Sequence, residues 1–128
     1  MGEFNWLAVL IGAASSFAIG FVWYGPLFGA AWKADTGMTD DKIGSAGRVF
    51  TIAAVFVLIG AVAVNLLLDR TLGTLAHTSG GLIIGIAAAA ALGMNYAFAQ
   101  RPRRLLLIDG GYMIVAYAVM GALAGAFK

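Results

Sequence analysis

Arg101-Pro102-Arg103-Arg104-Leu105-Leu106-Leu107-Ile108-Asp109-Gly110-Gly111-Tyr112 is the stretch on which the reading of this chain turns. A dense basic turn runs directly into an apolar segment, and an acid follows about a turn and a half later. Arginines beside an apolar span report which way it sits in a bilayer. Asp109 is the only acidic or basic side chain well inside any apolar segment of the chain.

Working outward, residues 105–127 form one apolar run and residues 80–99 another. Only Gln100 to Arg104 separates them, so the two must be an antiparallel hairpin. Further runs cover residues 6–24 and 49–68. Each is about 20 residues long, the length that crosses ~30 Å of hydrocarbon. Strict alternation of polar and apolar residues is absent, which argues against a β-barrel. Helices satisfy their own backbone groups in lipid. The predicted fold is all-α: a single domain over residues 1–128, an integral membrane bundle of four transmembrane helices with a short interfacial segment between the first two.

Composition points the same way. Of 128 residues, 62% are hydrophobic and 11% charged, where a soluble domain is about half apolar and about a quarter charged. A soluble chain this short could not hide so much apolar surface, because small domains bury the smallest fraction of theirs. The formal charge is +2, but it sits in short stretches. It offers no broad Lys/Arg surface for nucleic acid. With no cysteine, disulfides, thiolate metal sites and a Cys nucleophile are excluded. No Lys or Arg precedes the first apolar run, so that run is expected to be a retained helix rather than a cleaved signal.

Orientation follows from the Lys and Arg residues at the helix ends. Lys33, Lys42, Arg48, Arg101, Arg103 and Arg104 lie in the first and third connections; only Arg70 and Lys128 lie at the opposite ends. Both termini are therefore expected on the non-cytoplasmic side of a bacterial inner membrane.

Small residues recur at a spacing of four: Ala8, Gly12, Ser16 and Gly20 in the first helix, Gly81, Gly85, Ala89 and Gly93 in the third, Gly121 and Gly125 in the fourth. Such stripes let helix backbones approach closely, within one chain or between copies. The first connection opens with Trp23-Tyr24-Gly25-Pro26-Leu27-Phe28-Gly29, followed by Trp32. Pro26 is expected to end or kink the helix. Phe28 and Trp32, four apart, mark one face of a short surface helix, and Trp6, Trp23 and Trp32 are expected interfacial anchors. Gly37 breaks that helix. Thr39 is then a candidate N-cap, with Asp40 and Asp41 at the favourable end of the next helix dipole.

The opening Asn5-Trp6-Leu7-Ala8-Val9-Leu10, the Trp23–Gly29 segment with Trp32, and Asp109-Gly110-Gly111-Tyr112 with Gly121 beyond, stand in order along the chain. In these motifs the sequence resembles the small bacterial membrane proteins of domain of unknown function family 1761. The resemblance covers essentially the whole chain. It implies a four-helix membrane protein without an assigned activity, and it carries over no catalytic residue.

Asp109 heads the candidate sites. It lies about 7 Å along the helix from Arg104, near the headgroup boundary. Two readings stand: a proton- or cation-binding carboxylate, or an interhelical lock to Arg48, Arg101 or Arg104. The predicted topology brings Asn95, Tyr96, Trp23, Tyr24 and Arg48 to the same level. The expected polar cluster is Asp109, Asn95, Arg48, Tyr24 and Tyr112, with Asn95 or Arg48 touching Asp109. Met113, Ala116 and Met120 share the Asp109 side of the helix, while Gly121 and Gly125 point away. At the other end Asn5, Asn65, Asp69, Arg70 and His77 are expected to gather, with Ala61 continuing the face of Asn65. His77 reads as a solvated loop residue. No second His or Cys completes a zinc site, and a carboxylate site from Glu3 and Asp69 has little support. Ser15 and Ser16 have no evident base, and no hydrolase, zinc-protease or phosphate-loop motif is present. A non-catalytic structural, accessory or binding role, without a cofactor, is the first expectation. A small oligomeric transporter or channel built on the Asp109 cluster is the second. The expected partners are the lipid bilayer and copies of the chain or a larger membrane complex, not nucleic acid.

Overall fold

A computed structural model describes residues 5–44, 46–68 and 71–127. The readings placed on Glu3, Asp69, Arg70 and Lys128 fall outside the described residues. The elements are α1 (Trp6–Val22), a π-helical turn (Trp23–Leu27), α2 (Gly29–Thr36), α3 (Asp40–Ile43), α4 (Ala46–Leu67), α5 (Thr74–Ala99) and α6 (Arg103–Ala126). Four of them are long and apolar enough to cross a membrane: Trp6–Leu27, Gly47–Leu67, Thr74–Ala99 and Arg103–Ala126. The expected all-α bundle with four apolar spans is what the chain forms.

The boundaries depart from expectation at informative places. α1 does not stop at residue 24 but continues through the π-helical turn. The Pro26 ring has no N–H and would clash with the carbonyl four residues back in a regular helix. Widening the turn absorbs this, with the Phe28 N–H bonding to the Trp23 carbonyl at 2.8 Å. The turn into α2 then needs Gly29, because a Cβ there would stand 2.5 Å from the Tyr24 carbonyl oxygen. α2 ends at Gly37, whose φ of 73° is a left-handed cap. Thr39 occupies the N-cap of α3, but its side chain makes no capping bond.

α5 begins at Thr74, six residues before the expected start at residue 80. Its first turns are polar in sequence, yet His77 and Thr78 bond to backbone carbonyls one turn back. The Thr78 hydroxyl donates to the Thr74 carbonyl at 2.8 Å, and His77 Nδ1 lies 3.0 Å from the Gly73 carbonyl. His77 is therefore not a solvated loop residue. It is 2% exposed and packs under Gly125 of α6.

α6 is the hub. On one face Met120 and Ala124 meet Val9 and Ala13 of α1 and Ala61 and Val64 of α4 in the apolar core. On another, α5 and α6 touch backbone to backbone. A Cβ on Gly121 would reach within 3.1 Å of Gly81 Cα, and one on Gly85 would lie 2.8 Å from Ile114 Cα. Gly93 is different, meeting only the flexible end of Leu106 at 3.4 Å. Gly12 faces Met120, and Gly20 faces the Tyr112 ring. At the hairpin, Gln100 adopts φ 55°. The Arg101 N–H returns to the Tyr96 carbonyl at 3.0 Å, a Schellman-type stop.

Two side-chain contacts tie chain ends and connections together. Asn5 donates from its amide to the Phe127 carbonyl, so the two termini share one end of the bundle. Arg104 grips Asp35 of α2 through Nε at 2.8 Å and Nη2 at 2.7 Å, so the first and third connections share the other.

The contrast between these glycines is testable. Gly121→Ala pushes a methyl into backbone atoms that cannot rotate away and is expected to cost about 1–3 kcal/mol. Gly93→Ala needs only a leucine methyl to move and is expected to change stability by well under about 1 kcal/mol. Thermal unfolding of the two purified variants in the same detergent measures the difference.

Candidate functional site

The motif Asp109-Gly110-Gly111-Tyr112 of α6 and the motif Trp23-Tyr24-Gly25-Pro26 at the end of α1 form a single joint. Each of the four α6 residues has a separate part in it. Asp109, 9% exposed, receives the Tyr24 hydroxyl on Oδ1 at 2.6 Å and the Tyr96 hydroxyl on Oδ2 at 2.5 Å. Gly110 lets α5 close in, since a Cβ there would be 3.3 Å from the Ala89 methyl. Gly111 leaves room for the Trp23 ring, whose Cζ2 would lie 3.0 Å from an added Cβ. Tyr112 reaches back across Gly20 to donate its hydroxyl to the Ser16 carbonyl at 2.8 Å.

The α1 side is built to match. The widened turn aims Trp23 and Tyr24, adjacent in sequence, at the same stretch of α6. The Trp23 indole N–H donates to the Ile108 carbonyl at 2.8 Å, one residue before Asp109. Trp23 was expected as an interfacial anchor, but its polar atom turns inward because a helical carbonyl keeps a lone pair free for a second donor. The Tyr24 ring is wedged edge-on between Tyr112 at 5.4 Å and Trp32 at 6.0 Å between centroids. Trp32 thereby braces the site from α2, and Phe28 packs on Trp23 at 5.0 Å. Trp6, by contrast, is exposed at the start of α1.

Of the expected cluster, the structure brings together Asp109, Tyr24 and Tyr112. Asn95 is exposed, and its neighbour Tyr96 is the α5 residue that binds Asp109. Adjacent helical positions differ by ~100° in direction, so Tyr96 faces α6 while Asn95 turns away. Arg48 is exposed on the first turn of α4. The arginine lock imagined for Asp109 is also reassigned. Arg104 points off the Asp109 face and pairs with Asp35. Asp109 is closed by tyrosines instead.

Among the described residues of the opposite end, the Asn65 amide returns to the Ala61 carbonyl of its own helix at 2.9 Å, and further along α1 Ser15 and Ser16 both bond back to the Gly12 carbonyl. Among the described residues, no buried side-chain nitrogen or oxygen lacks a hydrogen-bond partner.

A family model described as a protein of unknown function (DUF1761) matches residues 7–125. The chain belongs to that family. Both halves of the joint, Trp23 to Pro26 and Asp109 to Tyr112, lie within the DUF1761 match. No curated protein and no solved structure matches the chain.

Tyr24→Phe and Tyr96→Phe each remove one donor to a buried carboxyl group. Each is expected to lower stability by about 0.5–2 kcal/mol, the range for hydrogen bonds in membrane bundles and to buried groups. In a double-mutant cycle with Asp109→Asn the losses should fall short of additivity, and additive losses would deny that these side chains act together.

The Asp35–Arg104 pair gives a pH signature. Hydrogen bonds from Arg104 hold the Asp35 carboxyl below its ordinary value. A carboxyl lowered by folding contributes stability above its unfolded value, about 4, and that contribution is lost as pH falls through the lowered value. Asp35→Asn is expected to flatten the acid limb of the stability–pH curve below about pH 4 and leave its shape at neutral pH unchanged. Denaturation midpoints across that range check it.

Proposed function

We propose that the chain is a non-catalytic membrane protein with a structural or accessory role, in which the Asp109 joint locks the bundle rather than carrying a substrate. One observation carries this reading: both Asp109 oxygens are already occupied by tyrosine hydroxyls from two other elements. One hydroxyl on each oxygen is the pattern of a carboxyl group used as a structural acceptor between elements. A transport site would leave such a group open to a path. Here the layer between the joint and the opposite end is Val9, Ala13, Ala61, Val64, Met120 and Ala124, all apolar. Its polar neighbours bond to their own backbone.

The lipid bilayer is the first partner in this reading, and copies of the chain or a larger membrane complex are the second. The bare apolar faces of α4 and α5, with Phe56, Ile59, Ile83 and Phe98 exposed, support a lipid or protein surround. The cytoplasmic membrane of a bacterium, with both termini on the outer side, fits the concentration of Lys and Arg in the first and third connections. Those connections share one end through Arg104 and Asp35, and the termini share the other through Asn5 and Phe127.

Transport is the competing reading, and the buried acid is the one feature in its favour. Proteoliposomes carrying wild type or Asp109→Asn, loaded with a pH dye and given a proton, Na⁺ or K⁺ gradient, separate the two. The expected result is dissipation no faster than in empty liposomes for both proteins. Wild-type flux that disappears in Asp109→Asn would overturn the structural reading.

A further inference from the structure

We infer that the turn between α5 and α6 is a binding site for an anionic phospholipid, with Arg101 and Arg103 holding the headgroup phosphate. Three arginines lie within four residues here, but they are not equivalent. Arg104 is committed to Asp35 by two hydrogen bonds. Arg101 and Arg103 are exposed, and neither makes an ion pair among the described residues.

The turn presents them rigidly. The Arg101 N–H is tied to the Tyr96 carbonyl, Gln100 is fixed in a left-handed conformation, and Pro102 has φ −58°. Both flanking helices are long and apolar enough to span a bilayer, so the short connection between Ala99 and Arg103 and the first turn of α6 must lie at headgroup level. An anion reaching the two arginines meets a backbone already set, so that only their side chains are left to order.

Below the arginines the surface has the character of an acyl-chain rest. Leu107 is 74% exposed and Phe98 is 87% exposed, with Met94 bare one turn further along α5. Arg103 and Leu107 are four apart and share one face of α6, while Met94 and Phe98 share one face of α5. Charge at the rim above large apolar side chains is the amphipathic pattern of a phospholipid, not of a free anion. Guanidinium groups suit the phosphate, because their planar forks bind its oxygens in pairs. Basic pockets at helix ends are known to recognise anionic headgroups on these grounds.

The test uses the full chain in detergent, titrated with phosphatidylglycerol, phosphatidylcholine or water-soluble glycerol phosphate and followed by native mass spectrometry. Phosphatidylglycerol is expected to bind at least about tenfold tighter than phosphatidylcholine, and glycerol phosphate is expected not to bind measurably. Arg101→Gln with Arg103→Gln should weaken phosphatidylglycerol about thirtyfold, about 1 kcal/mol for each arginine. Lys42→Gln, which removes an exposed charge on α3, should leave it unchanged. No preference for phosphatidylglycerol in wild type, or an undiminished one in the double variant, overturns the proposal. Equal binding of glycerol phosphate overturns the lipid as its source and leaves a free-anion site. Should the double variant not fold, a photoactivatable phosphatidylglycerol on wild type decides. Label within residues 94–107 supports the site, and label confined elsewhere rejects it.

Discussion

The contact on which the rest of the molecule depends is the backbone approach of α5 to α6. In lipid the hydrophobic effect does not drive helices together, since acyl chains are as apolar as leucine. What remains is close packing and polar contact between helices. Gly81 meets Gly121, and Gly85 meets the Ile114 backbone, at distances no Cβ would allow. Dispersion grows steeply as surfaces close, so the absence of side chains is itself what makes this pair adhere. The short connection between Ala99 and Arg103 adds to it by keeping the two helices antiparallel from the start. With α6 so fixed, its remaining faces are assigned: Met120 and Ala124 look to α1 and α4, and Asp109 looks to Tyr24 and Tyr96.

The joint follows from that frame and from Pro26. A regular helix through residue 26 would place Trp23 and Tyr24 about 100° apart on the α1 surface and would clash at the proline ring. The π-helical turn relieves the clash, and both side chains reach α6, one at the Ile108 carbonyl and the next at Asp109. π-bulges recur at functional positions because they re-aim a helix face without ending it. Here that re-aiming serves cohesion. Three α1 groups, the Ser16 carbonyl, the Trp23 indole and the Tyr24 hydroxyl, are each bonded to a different residue of one short α6 segment.

Most of the architecture was legible because length and hydropathy are what a bilayer selects. The four spans, the hairpin, the short helix after the first span and the two packing faces of α6 all follow from apolar run lengths and residue spacing. The beginning of α5 was not, because Thr74-Leu75-Ala76-His77-Thr78-Ser79 reads as a polar connection when the groups that satisfy it are invisible. For His77 and Thr78 those groups are the carbonyls of the N-cap Gly73 and of Thr74. The choice of Asn95 over Tyr96 has a different origin. α5 is apolar on nearly every side, so hydropathy gives it no phase. A signal was nonetheless present. The stripe Gly81, Gly85, Ala89, Gly93 continues at helical spacing onto Tyr96 and leaves Asn95 ~100° off it. The partner of Arg104 was not legible, since it needed the close turn at Gly29 and the placement of α2 that brings Asp35 to the start of α6.

Side-chain hydrogen bonds pin α1 and the turn after it to α6 at both ends and, through Tyr112 and Ser16, near the middle, and that distribution explains which helices act as one body. At one end the joint links α1, α5 and α6, and Arg104 adds α2. At the other, Asn5 reaches the end of α6. α1 and α6 are therefore pinned at both extremities, and α5 is welded to α6 along its length by glycine contacts. α4 is held differently. Its Thr51 and Asn65 return their hydrogen bonds to its own backbone. Its apolar contacts with the other helices include Ala61 and Val64 in the core with Val57 and Val62 packed beside them, Phe50 against Phe21 and Gly60 beneath the Tyr117 ring, with Leu68 just past its end over Gly80. Such contacts resist separation but do little to fix rotation, since each apolar surface can trade its neighbour for lipid at small cost. Hydrogen bonds thus set the geometry of α1, α5 and α6, and shape alone seats these contacts of α4 against them.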